Sequence, residues 1–184
     1  MNRQDRAVTP VISTILVVAI VVILAATVSV AFLGIAENIT EPAPNVADTT
    51  GEFEPGSGSD EQIVRITHVA GDSVSVESIE IIVRASGPGT DLPTEARLVN
   101  LPASTYFNGN IQGDEGLITS QSWKAKIIVD SDSNTWAAGQ TIEFRINSGA
   151  ADFSGSGDTA ADELEVVIVH MPSNSILSEH KFTT

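Results

Sequence analysis

The sequence predicts an α+β protein: a long apolar N-terminal α-helix followed by an all-β antiparallel sandwich. Three observations predict this. No charged residue occurs from Val8 to Ala36, nearly all the acid lies beyond Ala36, and from Glu61 onward apolar and polar residues alternate with period two. A chain of 184 residues has room for one ordinary domain and an appendage. The expected division is an apolar helix over 8–36, a flexible connector over 37–60 and a head domain over 61–184.

As a helix rising about 1.5 Å per residue, the apolar run would measure roughly 43 Å, more than the ~30 Å of a hydrocarbon core. Thr9 is placed to cap it, and Pro10 stands where a missing N–H costs nothing. Arg3 and Arg6 precede the run while Glu37, Glu41 and Asp48 follow it, so the N-terminus is expected in the cytoplasm and the acidic bulk outside. A secretory signal ending at Gly34-Ile35-Ala36 is one alternative, although its apolar region would normally be only about 7–15 residues long. A plain membrane anchor carrying a monomeric extracellular binding module is another, and hydropathy alone does not separate it from a polymerising helix. A buried helix of a globular protein would show a polar face. Here only Ser13, Thr14, Thr27 and Ser29 interrupt the apolar surface.

Charge excludes a further class of function. With a net charge of −15 and three lysines, Lys124, Lys126 and Lys181, the chain would repel nucleic acid. An acidic, lysine-poor surface suits a halophilic habitat, because salt screens the mutual repulsion of carboxylates that remain well hydrated. There is no cysteine, so disulfides, thiolate nucleophiles and Cys-based zinc sites are ruled out.

Within 37–60, Pro42, Pro44, Pro55 and Gly56-Ser57-Gly58-Ser59 mix with acids, as in a solvated connector. Asn38-Ile39-Thr40 is an N-glycosylation sequon, making Asn38 the candidate glycan site.

In the head, Ile142, Phe144 and Ile146 alternate with Thr141, Glu143 and Arg145. Similar runs at 62–68, 73–84, 95–100, 122–129, 164–170 and 176–182 complete a set of expected strands. Turn signals at Ala70-Gly71-Asp72, Gly87-Pro88-Gly89, Ala138-Gly139 and Gly155-Ser156-Gly157-Asp158 separate them. Short strands punctuated in this way predict an immunoglobulin-like sandwich. Trp123, Trp136, Tyr106 and Phe107 are expected to fill its core.

The search for chemistry points away from an enzyme, a cofactor or a metal site. Asp130-Ser131-Asp132-Ser133-Asn134 opens like a calcium loop, but Thr135 and Thr141 stand where that loop needs Gly and a bidentate Glu. His68, His170 and His180 fall on separate expected strands without ligand spacing. No phosphate loop, dinucleotide fingerprint or nucleophile elbow occurs. Asp162-Glu163-Glu165 reads as solvated surface.

The N-terminal residues Asp5-Arg6-Ala7-Val8-Thr9-Pro10-Val11-Ile12, followed by Ile15-Leu16-Val17-Val18-Ala19-Ile20, resemble the N-terminus of archaeal, in particular haloarchaeal, type IV pilins with a class III signal peptide. The segment from Ile66 to Val74, a strand, a Gly-Asp turn and a second strand, resembles the heads of that family. The chain departs from the commonest pattern at Ser13-Thr14, where a Gly and an aliphatic residue are more usual. The resemblance implies that residues 1–7 are a leader, removed by a membrane-embedded prepilin peptidase at Arg6-Ala7 so that Val8 becomes the new N-terminus. It also implies a homo-oligomeric helical filament supporting adhesion at the cell surface. An assembly ATPase and a membrane platform protein would be partners, and membrane lipid would hold the precursor. The filament core would be built on Val11, Ile12, Ile15, Leu16, Ala19, Ile23, Ala26, Val30 and Leu33. Small residues at Ala19, Ala25, Ala26, Ala31 and Gly34 would let helices approach closely.

Overall fold

The computed structural model describes residues 5–36, 42–56, 62–101, 109–119, 134–155 and 157–184. The chain divides into two units, Met1–Glu41 and Pro42–Thr184. The first contains helix α1, Asp5–Ala36. Its backbone is already helical at Asp5, so Thr9 and Pro10 lie inside the helix and do not start it.

The second unit is the head. Its strands are β1 (Val46–Glu54), β2 (Gln62–Gly71), β3 (Val74–Ser75), β4 (Ile79–Ser86), β5 (Thr94–Leu98), β6 (Ile111–Gly113), β7 (Thr135–Trp136), β8 (Thr141–Ile146), β9 (Glu163–His170) and β10 (Ser175–Thr183). One sheet has the order β1-β2-β8, the other β10-β9-β4-β5-β6, and β3 pairs with β7. All pairings between these strands are antiparallel. Ile118 bridges Ile146 and adds a further short segment beside β8. This is the Greek-key order of an immunoglobulin-like sandwich, with β5 and β6 extending the second sheet beyond its β10-β9-β4 core.

Alternation decides which side chains form that core. Val64 and Ile66 of β2 and Ile142, Phe144 and Ile146 of β8 meet Ile81 and Val83 of β4 and Leu164, Val166 and Ile168 of β9. Trp136 is fully buried among them, and its Nε1 donates to the carbonyl of Gln140 at 3.2 Å. Gln62 is also fully buried, yet its amide is satisfied. Nε2 donates to the Ala151 carbonyl at 2.7 Å, and Oε1 accepts from the Phe153 N–H at 2.8 Å.

Three expectations change. Val46–Glu54, assigned to the flexible connector, is strand β1, paired with β2 from Val46↔Gly71 to Glu54↔Ile63. Its inward residues Thr49, Gly51 and Phe53 include one large apolar side chain, so the pattern is weak in isolation and pairing supplies the order. The single run expected over 73–84 is broken into β3, a 3-10 turn at Val76–Ser78 and β4, because the chain crosses from one sheet to the other there. β6 and β7 are short strands that alternation did not reveal. The strand expected at 122–129, the acidic turn at 130–133, and Tyr106, Phe107, Trp123 and Asn38 lie outside the described residues.

β1 and β10 close one edge of the sandwich. Thr49 Oγ1 lies 2.7 Å from Ser178 Oγ and 3.0 Å from His180 Nε2. Phe53 packs on Phe182, with ring centroids 5.8 Å apart. A Cβ on Gly51 would stand 2.7 Å from the His180 ring, so the close approach requires glycine there.

Candidate functional site: an apolar helix with no buried face

Helix α1 spans 32 residues, about 48 Å at 1.5 Å per residue. Val11–Val30 is long and apolar enough to cross a membrane. Every residue in that window is exposed, and its large hydrophobic residues range from 48% for Ile20 to 70% for Val30. A helix that is hydrophobic all round belongs in lipid or among other apolar helices. Its few hydroxyls do not oppose this. Thr14 Oγ1 donates to the Val11 carbonyl and Thr27 Oγ1 to the Leu24 carbonyl, each at 2.9 Å, so both are satisfied inside the helix. Ser13 and Thr14, with Val17 and Val18, line a shallow apolar notch where the small side chains thin the helix surface.

The expected core residues Val11, Ile12, Ile15, Leu16, Ala19, Ile23, Ala26 and Val30 are all exposed along this rod. Leu33 is in the same helix, and Arg6, Ala7 and Val8 lie in its first turns.

The head offers no comparable site among the described residues. His68 of β2 contacts the Trp136 carbonyl through Nδ1 at 3.3 Å and the Ala70 carbonyl through Nε2 at 3.1 Å. His170 of β9 has Nδ1 2.7 Å from Ser173 Oγ. His180 faces Thr49, and burial pushes its imidazole below the ordinary value. Each histidine thus has a separate local partner, and no group of three or more His, Asp or Glu able to hold a metal forms among the described residues.

The outer sheet faces carry the cations instead. Arg84 donates to Glu95 at 2.7 Å and to Glu165 at 2.8 Å, and Lys181 lies 3.1 Å from Glu165. Arg97 reaches Glu95 and Glu80. Hydrogen bonds from Arg84 hold the Glu95 and Glu165 carboxyls below the usual range, with Arg97 adding to the first and Lys181 to the second. On the other sheet, Arg65 bridges Glu143 and Glu54, both at 2.9 Å.

Alternation alone missed the outward aliphatic residues of the five-stranded sheet. Ile82 is half-buried, Val167 buried and Val169 half-buried. Register sets Ile82 opposite Val167, and Val169 opposite Ile176. The signal was present in the unbroken runs Ile81-Ile82-Val83 and Val166-Val167-Ile168-Val169, since a strand wetted on one face should alternate.

Residues 6–47 match the family described as archaeal type IV pilin, N-terminal. An uncharacterized protein of Archaeoglobus fulgidus is 35% identical over 82 residues, a stretch covering 45% of this chain and 55% of that protein. The chain therefore spans about half the length of this relative. The family match coincides with the helix whose every described side chain faces outward, and the N-terminal segment of the chain is accordingly that of the archaeal type IV pilins.

Proposed function

We propose that this chain is the subunit of an archaeal type IV pilus-like surface filament, polymerising through α1 and supporting adhesion through its head. The observation that carries the reading is the absence of any buried face between Val11 and Val30. At about 25 cal/mol per Å² of apolar area, leaving such a helix in water would cost on the order of tens of kcal/mol. Lipid covers it in the precursor, held with its N-terminus in the cytoplasm. After extraction, copies of the same helix supply equivalent cover.

Processing between Ala7 and Val8 fits the helix chemically. Pro10 cannot donate a backbone N–H, which in the longer helix forfeits a bond to the carbonyl of Arg6. With Val8 as the first residue, Pro10 falls among the first four, whose N–H groups have no intrahelical partner. The prepilin peptidase, assembly ATPase and membrane platform protein are the partners this reading requires. Asn38 is the proposed glycan site, next to the end of α1.

Mass spectrometry of the mature chain tests the reading. A start at Val8, lost in Arg6→Ala, is the expected result. A start at Glu37 would mean conventional secretion without the helix, and an unprocessed N-terminus would mean a monomeric membrane-anchored module.

A further inference from the structure

Glu80 is a carboxylate whose burial and pairing do not match. It stands on β4 in step with Ile82 and Arg84, on the outer face of the five-stranded sheet, yet only 9% of the residue is exposed. Its contact among the described residues is with Arg97, whose Nη1 lies 3.4 Å from Glu80 Oε1. That is long for a charge-assisted hydrogen bond, which normally measures about 2.7–2.9 Å. Arg97 also gives its Nε to Glu95 at 3.2 Å. Oε2 of Glu80 meets no partner among the described residues. Glu165, on the same face, shows the ordinary solution. Its side chain is 18% exposed against 12% for Glu80, and it takes Arg84 at 2.8 Å and Lys181 at 3.1 Å. The more buried carboxylate therefore has the weaker cation, opposite to what the cost of desolvating a charge demands.

Glu80 lines an open recess of about 350 Å³ at the start of β4, beside the end of β5, β6 and the β9–β10 turn. The size is that of a small-molecule site. Hydrogen bonds fix its walls. Met171 N–H donates to the Ser78 carbonyl at 2.8 Å and Val99 N–H to the Asn110 carbonyl at 2.9 Å. Asn110 Nδ2 holds the Val99 and Asn100 carbonyls at 3.1 and 3.0 Å. Glu77 is held through Oε1, which accepts from Asn134 Nδ2 at 3.2 Å. Asn100 Nδ2 donates to the Gly109 carbonyl at 3.1 Å, which leaves its Oδ1 as an acceptor. Gln112, opposite Arg97 in register, adds a second amide. Against these polar groups stand the aliphatic side chain of Val99 and the thioether of Met171, a residue 46% exposed.

We propose that this recess binds a primary ammonium group carried on a short aliphatic chain, with Glu80 as its counter-ion. The walls select that class. An anion would meet two carboxylates in a chain of net charge −15. A hard metal ion would want six or so oxygen ligands, and no group of three or more His, Asp or Glu able to hold one forms among the described residues. A neutral apolar ligand would seal Glu80 from water without pairing it. An ammonium group has three donors and no acceptor, which matches the Glu80 and Glu77 carboxylates and an amide oxygen. Its chain leaves water against Val99 and Met171, and the unbranched, polarizable methionine adapts to it. Free alkylamines and the lysine side chains of a protein share this chemistry. The site belongs to the head alone and is independent of polymerisation.

Methionine occurs only at Met1 and Met171, so carbon-13 labelling of the methionine methyl groups gives the recess its own NMR signal. The full-length chain, in dodecyl maltoside micelles at constant ionic strength, is titrated with n-butylammonium chloride and, in parallel, with n-butanol. The Met171 signal should move to saturation with butylammonium and stay in place with butanol. Glu80→Gln, which keeps the shape and removes the charge, should weaken binding about tenfold or more. Arg97→Gln, which removes the competing cation, should tighten it several-fold. Equal responses to the amine and the alcohol, or a response to the amine that never saturates, would overturn the site. Weaker binding in Arg97→Gln would overturn it as well, since Glu80 would then not be short of a cation. Should Glu80→Gln fail to fold, the alcohol comparison in the unaltered chain and Arg97→Gln still decide. Nα-acetyl-lysine methylamide separates the two sources. Saturation by this compound too would assign the recess to lysine side chains of a protein, and saturation by butylammonium alone would assign it to free amines.

Discussion

Ile15 and Ile81 are the same side chain in opposite circumstances: the first is 65% exposed on α1, and the second is fully buried between the sheets of the head. The head folds most of its aliphatic residues inward and satisfies them from within one molecule. The helix cannot, because a single rod has no interior. The contrast shows why the two regions are completed differently, the head by its own strands and the helix only by apolar surroundings outside itself.

The largest effect that separates them is expected from Phe144→Ala. Deleting this buried ring should destabilise the head by about 3–5 kcal/mol, read as a lower urea midpoint, while membrane partitioning of α1 stays unchanged. The mirror-image variant is Ile20→Asp, near the centre of the apolar window. A carboxylate there should cost about 3 kcal/mol of membrane insertion. Membrane fractionation should show loss of the inserted chain, and proteolysis should show a folded head. A loss of head folding in that variant would mean the two regions are not independent.

Smaller effects probe the head's own edges. Gly51→Ala pushes a methyl against the His180 ring and should cost about 1–3 kcal/mol as an overpacked contact, measurable as a drop in Tm. Arg84→Met should cost under about 1 kcal/mol per exposed pair at neutral pH. Its pH dependence has a defined sign. Glu95 and Glu165 are held below their unfolded values by Arg84, so their contribution is complete above the ordinary carboxylate range and is lost as pH falls through the depressed folded values. The Tm difference between wild type and Arg84→Met should therefore be widest near neutrality and vanish in acid. A difference that grew on acidification would refute the ladder as described.

The legibility of the chain follows the same contrast. α1 was readable because its signal is local: an uncharged run long enough to span a bilayer. β2, β8, β9 and β10 were readable because Val64, Ile66, Ile142, Phe144, Leu164, Val166 and Phe182 recur at every second position. β1 was hidden because its ordering comes from elsewhere, through Arg65 to Glu54, Ser178 to Thr49 and Phe182 to Phe53. The outward strip of Ile82, Val167 and Val169 was present as unbroken apolar runs, but its meaning needed the strand order.

The sequence by itself determined the division into an apolar rod and an acidic, cysteine-free head, because hydropathy and charge act on each segment wherever it sits. It also determined which way most strands face, since side chains alternate by covalent geometry. Only the tertiary structure decided that β1 leaves the connector to join β2, that β10 and β6 form the edges of one sheet, and that Lys181, Glu165, Arg84 and Glu95 meet in one ladder. Those outcomes depend on pairing between residues far apart in the chain, where the gain appears only after the loop-closure cost has been met.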